Sequence, residues 1–205
     1  MKLLNMQNVL REKKMKMFSS RELGLLLKMS EGAVYRLLWR YEKKGIIVKL
    51  KRGLYALKSS YPSVYLIGNR LYSPSYISFD TAMSFHHLIP ETIYSVTCAT
   101  TRTTREFIAN GVAYRYHRIK KNAYTGYKPI KYDYQVVLMA EPEKALADYL
   151  YYVGMKRRGL YYERLDLKKI NKNKLIKYVR LFGKTGLLKL VDKIYDEFRR
   201  PQRIY

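Results

Sequence analysis

Apolar and polar residues alternate with a helical period between residues 30 and 45. At about 100° per residue, the apolar side chains fall on one face of a helix: Val34, Leu37, Leu38 and Tyr41. Ser30 precedes this stretch as a helix N-cap, and Gly45 follows it as a C-terminal stop. We therefore predict an amphipathic helix, called the recognition helix below, with one face toward a core and the other free.

A shorter helix is predicted before the recognition helix and two strands after it. Ser19 and Glu22 form a Ser-x-x-Glu capping box ahead of an apolar stripe: Leu23, Leu26 and Leu27. Downstream, two short strands meet at a basic turn in which Gly53 can adopt a positive φ. With a further helix at residues 2–14, this is the order of a winged helix-turn-helix domain, which we place at residues 1–58.

The composition of the chain changes after these two predicted strands. Residues 58–62 combine lysine, serine and proline, which indicates a linker, and we place a second domain at residues 62–205. Its first predicted elements are a helix at residues 63–73, a helix that begins after Ser78, and a β-branched strand at residues 94–100.

Turn and cap signals organise the rest of this second domain. The dipeptide Asn110-Gly111 predicts a two-residue β-hairpin, and residues 136–139 predict a buried strand. A helix opens at residues 141–143, where a proline and two glutamates suit the first turn. Gly183 separates two further predicted helices. The expected fold class is α+β: an N-terminal winged helix-turn-helix domain followed by a mixed α/β domain ending in a helical pair.

The charge balance points to an anionic partner. The 205 residues include 41 Lys and Arg against 16 Asp and Glu, a formal net charge of +25. DNA, RNA or a membrane surface would fit this charge. Cys98 is the single cysteine, so no intrachain disulfide or cysteine zinc site is expected. Without a signal-peptide core or an apolar run of about 18 residues, we expect a cytoplasmic protein with no membrane contact.

Three histidines are the candidate metal ligands. His86 and His87 are adjacent, so on a helix they diverge by about 100° and cannot share an ion. His117 could meet them in space, but no metal-ligand spacing accompanies it. The simpler interpretation is one buried and two solvated histidines, and we expect neither a metal site nor another cofactor.

A metal-dependent nuclease is the enzymatic alternative. Glu141, Glu143 and Lys144 follow a predicted strand, and carboxylates beside a lysine can bind Mg²⁺ and stabilise charge. However, the usual acid-x-Lys spacing on a strand is absent, and Pro142 lies inside the group. Acids that open a helix explain these residues without chemistry. We therefore expect no catalytic residues and no enzymatic activity.

Residues 114–121 support another alternative, an RNA-binding regulator. This stretch, YRYHRIKK, interleaves aromatic and basic side chains, which could stack on and neutralise single-stranded RNA or DNA. The competing interpretation is a half-buried strand with its tyrosines inward and its basic residues outward. Alternation with a period of two is typical of any amphipathic strand, which favours this second interpretation.

The order of these segments resembles the AbiEi family of antitoxins, from the type IV toxin–antitoxin systems of bacterial abortive infection. The resemblance covers most of the chain and rests on residues 30–45, 51–55 (KRGLY), 77–82 (ISFDTA) and 140–148 (AEPEKALAD). It implies a DNA-binding N-terminal domain that represses its own operon. It also implies a C-terminal α/β domain that antagonises a nucleotidyltransferase-like toxin without requiring a stable complex with it.

The expected function is therefore that of a sequence-specific DNA-binding repressor and antitoxin. Its partner would be an operator in double-stranded DNA, expected as an inverted repeat, with a homodimer on DNA as one arrangement. Arginine can pair bidentately with guanine, and lysine binds phosphate as a point charge. Candidate base contacts lie on the free face of the recognition helix: Gly32, Tyr35, Arg36, Trp39 and Arg40. Candidate phosphate contacts follow them: Lys43, Lys49, Lys51 and Arg52.

Overall fold

A computed structural model of the chain describes residues 3–160 and 165–199. Its N-terminal part contains helices α1 (Leu3–Glu12), α2 (Ser20–Leu27) and α3 (Glu31–Lys43) and strands β1 (Met17–Ser19), β2 (Ile47–Lys51) and β3 (Leu54–Leu57). The strands form an antiparallel sheet in the order β1-β3-β2, called the N-terminal sheet below. This order places β3, the last of these strands along the chain, between the other two.

Local signals in the sequence explain where α2 and α3 begin. The Ser19 hydroxyl accepts from the Glu22 N–H at 3.1 Å, and the Glu22 carboxylate accepts from the Ser19 N–H at 2.6 Å. The predicted capping box is therefore present. Ser30 occupies the N-cap position of α3, although its side chain makes no capping hydrogen bond. The predicted inward face of α3 is buried in a small core with α1 and α2: Val34, Leu37, Leu38 and Tyr41.

The rest of the described chain combines further helices with a mixed sheet. The helices are α4 (Val64–Leu71), α5 (Phe79–Phe85), α6 (Pro142–Gly154), α7 (Lys172–Arg180) and α8 (Thr185–Arg199). The strands are β4 (Ser75–Ile77), β5 (Ser95–Thr100), β6 (Arg105–Ala109), β7 (Val112–Arg118), β8 (Tyr127–Tyr132) and β9 (Gln135–Ala140). The molecule is therefore a mixed α+β protein, as its sequence predicts.

Strands β4 to β9 form the main sheet, with the strand order β6-β7-β5-β4-β9-β8. The neighbours β5 and β7, and likewise β4 and β9, run parallel, whereas the other neighbours are antiparallel. Asn110-Gly111 joins β6 to β7, which confirms the predicted hairpin. The sequence pattern does not predict β4, which has only 3 residues, or β8, which contains Pro129.

Helix α4 covers one face of the main sheet, and α5 and α6 cover the other. A Cβ atom built on Gly68 of α4 would lie 2.9 Å from Ile77 Cδ1 and 3.0 Å from Val96 Cγ1, so α4 approaches the sheet closely. Thr97 points to the opposite face, where its hydroxyl donates to the Ser78 carbonyl at 2.7 Å, just before α5. Helices α7 and α8 pack against α6.

The N-terminal sheet is buried on both of its faces. Along β3, Tyr55 and Leu57 join the small N-terminal core. Leu54 and Ala56, which alternate with them, join the larger core of the main sheet. The buried side chains of this sheet that join the larger core are Met17, Leu50, Leu54 and Ala56, and the partly buried Val48 packs against it. The predicted linker, residues 58–62, begins with a single 3-10 turn at Lys58–Ser60. Apolar burial therefore continues across the predicted domain boundary.

One valine and one ion pair depart from the sequence pattern. Val136 belongs to the predicted buried strand, yet it is 60% exposed, because it faces an open groove between α1 and the β8–β9 turn. Lys144 and Asp148 of α6 are both completely buried, and their charged atoms lie 2.5 Å apart. The sequence gives no sign of this pair, since lysine and aspartate are normally placed at a protein surface.

Candidate nucleic-acid interface

The outer face of α3 presents aromatic and basic side chains to solvent. Tyr35 and Trp39 are 68% and 60% exposed, so two large rings remain in contact with water. Arg36, Arg40 and Lys43 are exposed on the same face. Because the opposite face of α3 is fixed in the small core, the helix holds these five side chains outward.

Gly32 lies on this face, in the first turn of α3. It is exposed, and the atom nearest to a Cβ built there would be a guanidinium nitrogen of Arg36 at 3.7 Å. A ligand can therefore approach the backbone of this first turn closely. Glu31 and Glu42 are the acidic residues of α3, and the helical period places both at one edge of the face, beside Tyr35.

The hairpin of β2, β3 and the turn between them, called the wing below, adds further cations. Gly53 has a φ of +79°, which lets the chain reverse as the sequence predicts. Lys49 and Arg52 are exposed. Lys51 is different: it is half-buried, and its ammonium donates to the Leu71 carbonyl at the end of α4, at 2.5 Å. The wing is therefore joined to the main part of the molecule through Lys51.

Arg102 and Arg105, which the sequence analysis did not select, lie beside the wing. The Arg102 guanidinium is 4.4 Å from the centre of the Tyr72 ring, and Arg105 is 5.7 Å from the centre of the Phe107 ring. Burial, followed by the charges of these two arginines, lowers the pKa of Lys51. The available signal is the run of threonine and arginine that holds both residues, but its position next to the wing depends on the tertiary fold.

The exposed cations of α3 and of the wing have no carboxylate partner. Across residues 3–160 and 165–199, no ion pair involves any of the following side chains: Arg36, Arg40, Lys43, Lys49 and Arg52. Charges that are not neutralised within the molecule remain available to attract an anion. Together with the aromatic rings, they form the candidate interface.

Strand β7 contains the tyrosines of the alternative RNA site. Tyr114 and Tyr116 are completely buried, and the Tyr116 hydroxyl donates to the Gly68 carbonyl at 2.6 Å. Burial raises the pKa of both hydroxyls. Arg115 points outward and pairs with Glu106 at 3.2 Å. The strand therefore has inward tyrosines and an outward basic residue, and its two tyrosine rings cannot stack on bases.

The three histidines lie in different surroundings. His86 and His117 are partly buried and His87 is exposed, which corrects the expected one buried and two solvated histidines. His86 Nε2 donates to the Ala140 carbonyl at 2.8 Å, and His117 Nε2 accepts from Arg158 at 2.9 Å. Burial, followed by the charge of Arg158, lowers the pKa of His117 to about 4. Within the described ranges, no group of three His, Cys, Asp or Glu could hold a metal ion.

Glu141 and Glu143, the acids of the nuclease alternative, are bound by cations. Glu141 pairs with Lys128 and, at 3.1 Å, with Lys174, and it accepts from the Tyr178 hydroxyl at 2.5 Å. Burial would raise the pKa of Glu141, but these bonds lower it to about 2. Lys174 also pairs with Glu143 at 3.1 Å. These contacts connect the start of α6 to α7.

Comparison of the chain with models of known protein families gave no match, and comparison with curated proteins gave none. Within the described residues, no helix has the length and apolar character needed to cross a membrane. Function is therefore inferred from the chemistry and geometry of α3 and the wing.

Proposed function

We propose that the N-terminal part is a winged helix-turn-helix domain and that the protein is a sequence-specific DNA-binding repressor. The observation that supports this most is the exposed aromatic and basic face of α3 beside a basic wing. The element order α1-β1-α2-α3-β2-β3, with β3 between β1 and β2 in the sheet, agrees with the proposal. In such domains the second helix of the helix-turn-helix enters the major groove.

The side chains of the interface divide into two proposed roles. Those on α3 read base edges, through bidentate arginine–guanine pairs and apolar contacts: Gly32, Tyr35, Arg36, Trp39 and Arg40. Those at the end of α3 and in the wing bind phosphates: Lys43, Lys49, Lys51 and Arg52. Lys51 contributes least to the second group, because its ammonium already donates to Leu71.

The antitoxin role is proposed from the resemblance to AbiEi proteins. In this proposal the protein represses its own operon in the cytoplasm, binding an inverted repeat as a homodimer. Residues 62–205 antagonise a nucleotidyltransferase-like toxin without a stable complex. Co-expression of the chain with a toxin encoded beside it should restore growth. Unchanged toxicity would refute this role and leave the DNA-binding proposal intact.

The DNA-binding proposal is tested by selecting bound sites from a random duplex library with the full chain. The selected duplex should bind with strong salt dependence, because each phosphate neutralised contributes about −0.9 to the slope of log K against log salt. We expect a slope steeper than about −2. Arg36→Ala should weaken the selected site by about 1–3 kcal/mol and affect random duplex much less.

A matched control is Lys189→Ala, which removes an exposed cation from α8. It should leave both affinities almost unchanged. Failure to enrich any sequence, or a salt slope flatter than about −2, would contradict the proposal. Equal losses on selected and random duplex for Arg36→Ala would reassign this residue to a phosphate contact.

A further inference from the structure

A cleft of about 680 Å³ opens at one edge of the main sheet, and none of the side chains assigned above lines it. Strands β5 and β7 run parallel, so their carboxyl ends lie at the same edge. Residues 101–104 follow β5 and residues 119–122 follow β7, and both segments line the cleft. The end of α6 closes it with Tyr151 and Met155. Open α/β sheets commonly bind ligands in a crevice at such carboxyl ends.

The polar lining of this cleft consists of hydroxyls, cations and the amide of Asn122. Hydroxyls come from three threonines after β5: Thr101, Thr103 and Thr104. Cations come from the end of β7 and from the segment after α6: Arg118, Lys120, Lys121 and Arg157. These four cations are exposed, no Asp or Glu lines the cleft, and no ion pair among the described residues involves them. The cleft therefore suits an anion.

Hydrogen bonds behind the lining hold its walls in place. Thr104 Oγ1 accepts from the Arg118 N–H at 3.2 Å, and the Tyr152 hydroxyl donates to the Arg118 carbonyl at 2.9 Å. The hydroxyls of Thr103 and Tyr72 are 3.0 Å apart. These bonds use the backbone of Arg118 and leave its guanidinium free for a ligand.

The cationic side chains of the cleft are not needed to cap the C-terminal end of α6. The Arg157 N–H donates to the Tyr152 carbonyl at 3.0 Å, and the Met155 N–H donates to the Tyr151 carbonyl at 3.1 Å. Carbonyls at this helix end are thus paired with backbone N–H groups. The side chains of Arg118, Lys120 and Lys121 therefore remain available for other partners, whereas the Arg157 side chain lies close to the Tyr152 hydroxyl.

We propose that this cleft binds a phosphorylated ligand of nucleotide size through its phosphate groups. Its volume lies in the range of small-molecule sites, roughly 300–1,000 Å³. Guanidinium, ammonium and hydroxyl groups are the donors that phosphate oxygens accept from in proteins. The apolar wall of Tyr151 and Met155 provides a surface for the part of the ligand that carries no charge. This site is separate from the α3 face and does not require the proposed function.

The proposal is tested on the full chain by isothermal titration calorimetry with ATP, pyrophosphate and adenosine. ATP and pyrophosphate should bind and adenosine should not, because the phosphates carry the interaction. Lys120→Ala with Lys121→Ala should weaken ATP binding by at least about tenfold. Thr101→Val removes one hydroxyl without changing charge or size, and it should weaken ATP binding by about threefold or more.

The matched control is Lys177→Ala with Arg180→Ala, which removes two exposed cations from α7. It should change ATP affinity by less than about twofold. Circular dichroism should show the same folded signal for all variants, since each substitution is at the surface or isosteric. The calorimetric titrations contain no DNA, so their result does not depend on the repressor proposal.

Absence of saturable ATP binding would overturn the inference. Equal losses in the cleft variant and in the α7 control would also overturn it, because general electrostatic attraction would then account for binding. So would a third result, in which the cleft variant loses duplex DNA affinity while no nucleotide binds, since the cations would then serve a nucleic-acid backbone.

Discussion

At the scale of single residues, the buried charges of α6 are the feature with the largest expected effect on stability. Asp148 accepts from the Tyr76 hydroxyl at 2.9 Å, from the Ser78 hydroxyl at 2.7 Å and from the Lys144 ammonium at 2.5 Å. The ammonium also lies 4.7 Å from the centre of the Phe182 ring. Burial raises the pKa of Asp148, and the bonds from its three partners oppose that rise.

Removing Asp148 should therefore destabilise the protein strongly. Asp148→Ala leaves the Lys144 ammonium buried without a counter-charge, and such losses cost about 3–5 kcal/mol. Urea denaturation should show this as a lower midpoint. The double variant Lys144→Met with Asp148→Leu should be less destabilised than Asp148→Ala, because no charge is then buried. A cost below about 1 kcal/mol for Asp148→Ala would show that the pair is hydrated.

The contacts of Glu141 predict a pH dependence. Its pKa is lowered to about 2, so the ionised form is stabilised in the folded protein. The resulting stability is present above the ordinary glutamate pKa of about 4.3 and is lost as pH falls toward 2. Glu141→Gln should be less stable than the wild type at neutral pH, and the difference should shrink as pH falls through this window.

The measurement for Glu141 is urea denaturation at a series of pH values. Glu106→Gln, in an exposed pair on β6, is the control and should have little effect at any pH. A difference between wild type and Glu141→Gln that stays constant from pH 7 down to about 2 would contradict the assigned contacts.

At the scale of elements, Gly68 sets the distance between α4 and the main sheet. Alanine is the better helix former by about 1 kcal/mol, so propensity alone predicts that Gly68→Ala stabilises the protein. The new methyl group would instead meet Ile77 and Val96 at 2.9 and 3.0 Å. We expect a net loss of about 1–3 kcal/mol, measured by urea denaturation. Gly186→Ala, in α8 with open space around it, is the control and should not destabilise.

The wing should act separately from α3 in DNA binding. Arg52→Ala should weaken selected and random duplexes about equally and reduce the magnitude of the salt slope by about 1. Lys51→Ala should change the slope less, because its ammonium donates to Leu71. Salt titrations of both variants provide the measurement. Loss of sequence preference in Arg52→Ala, with random duplex unaffected, would mean that the wing reads a groove.

Elements with local signals could be predicted from the sequence, and elements defined by distant partners could not. Helix α3 has four inward apolar residues at a helical period, and the β6–β7 hairpin has Asn110-Gly111. Strand β4 has only 3 residues and is specified by β5 and β9 on its two sides. Strand β8 has Lys128 and Lys131 three residues apart around Pro129, so it lacks the alternation of polar and apolar residues that predicts a strand.

The same distinction applies to the candidate interface. The exposure of Arg36 and Trp39 follows from helical periodicity once the inward face is identified. The hydrogen bond of Lys51 depends on Leu71, which lies at the end of α4 and far along the chain, and so it could not be foreseen. The basic cleft forms because β5 and β7 pair in parallel, which places residues 101–104 beside residues 119–122. These segments are separate in the sequence, so the cleft could not be predicted from it.

At the scale of the whole molecule, the two predicted domains share apolar burial, so we expect each to stabilise the other. A fragment of residues 1–60 would expose the side chains that the N-terminal sheet contributes to the larger core: Met17, Leu50, Leu54 and Ala56. An exposed apolar patch of this kind promotes self-association. We expect the fragment to be less protected from amide hydrogen exchange than the same residues in the full chain, and to associate in sedimentation experiments.

A fragment that carries Leu50→Lys and Leu54→Lys is the comparison for this experiment. It should remain monomeric if the patch causes association, because lysine replaces the apolar surface. A monomeric unmodified fragment with full exchange protection would show that the N-terminal part folds independently.

The position of β4 also has a consequence for the order in which a newly made chain can fold. Ile77 of β4 pairs with Met139 of β9, and the hydroxyl of Tyr76 is bonded only once Asp148 exists. At about 5–20 residues per second, a ribosome needs roughly 3–12 seconds to extend the chain by the roughly 60 residues between those strands. Until β9 is made, β4 has at most one neighbouring strand, β5, instead of two. The nascent chain is then an expected target for chaperones, and shortening this delay should raise the yield of folded protein.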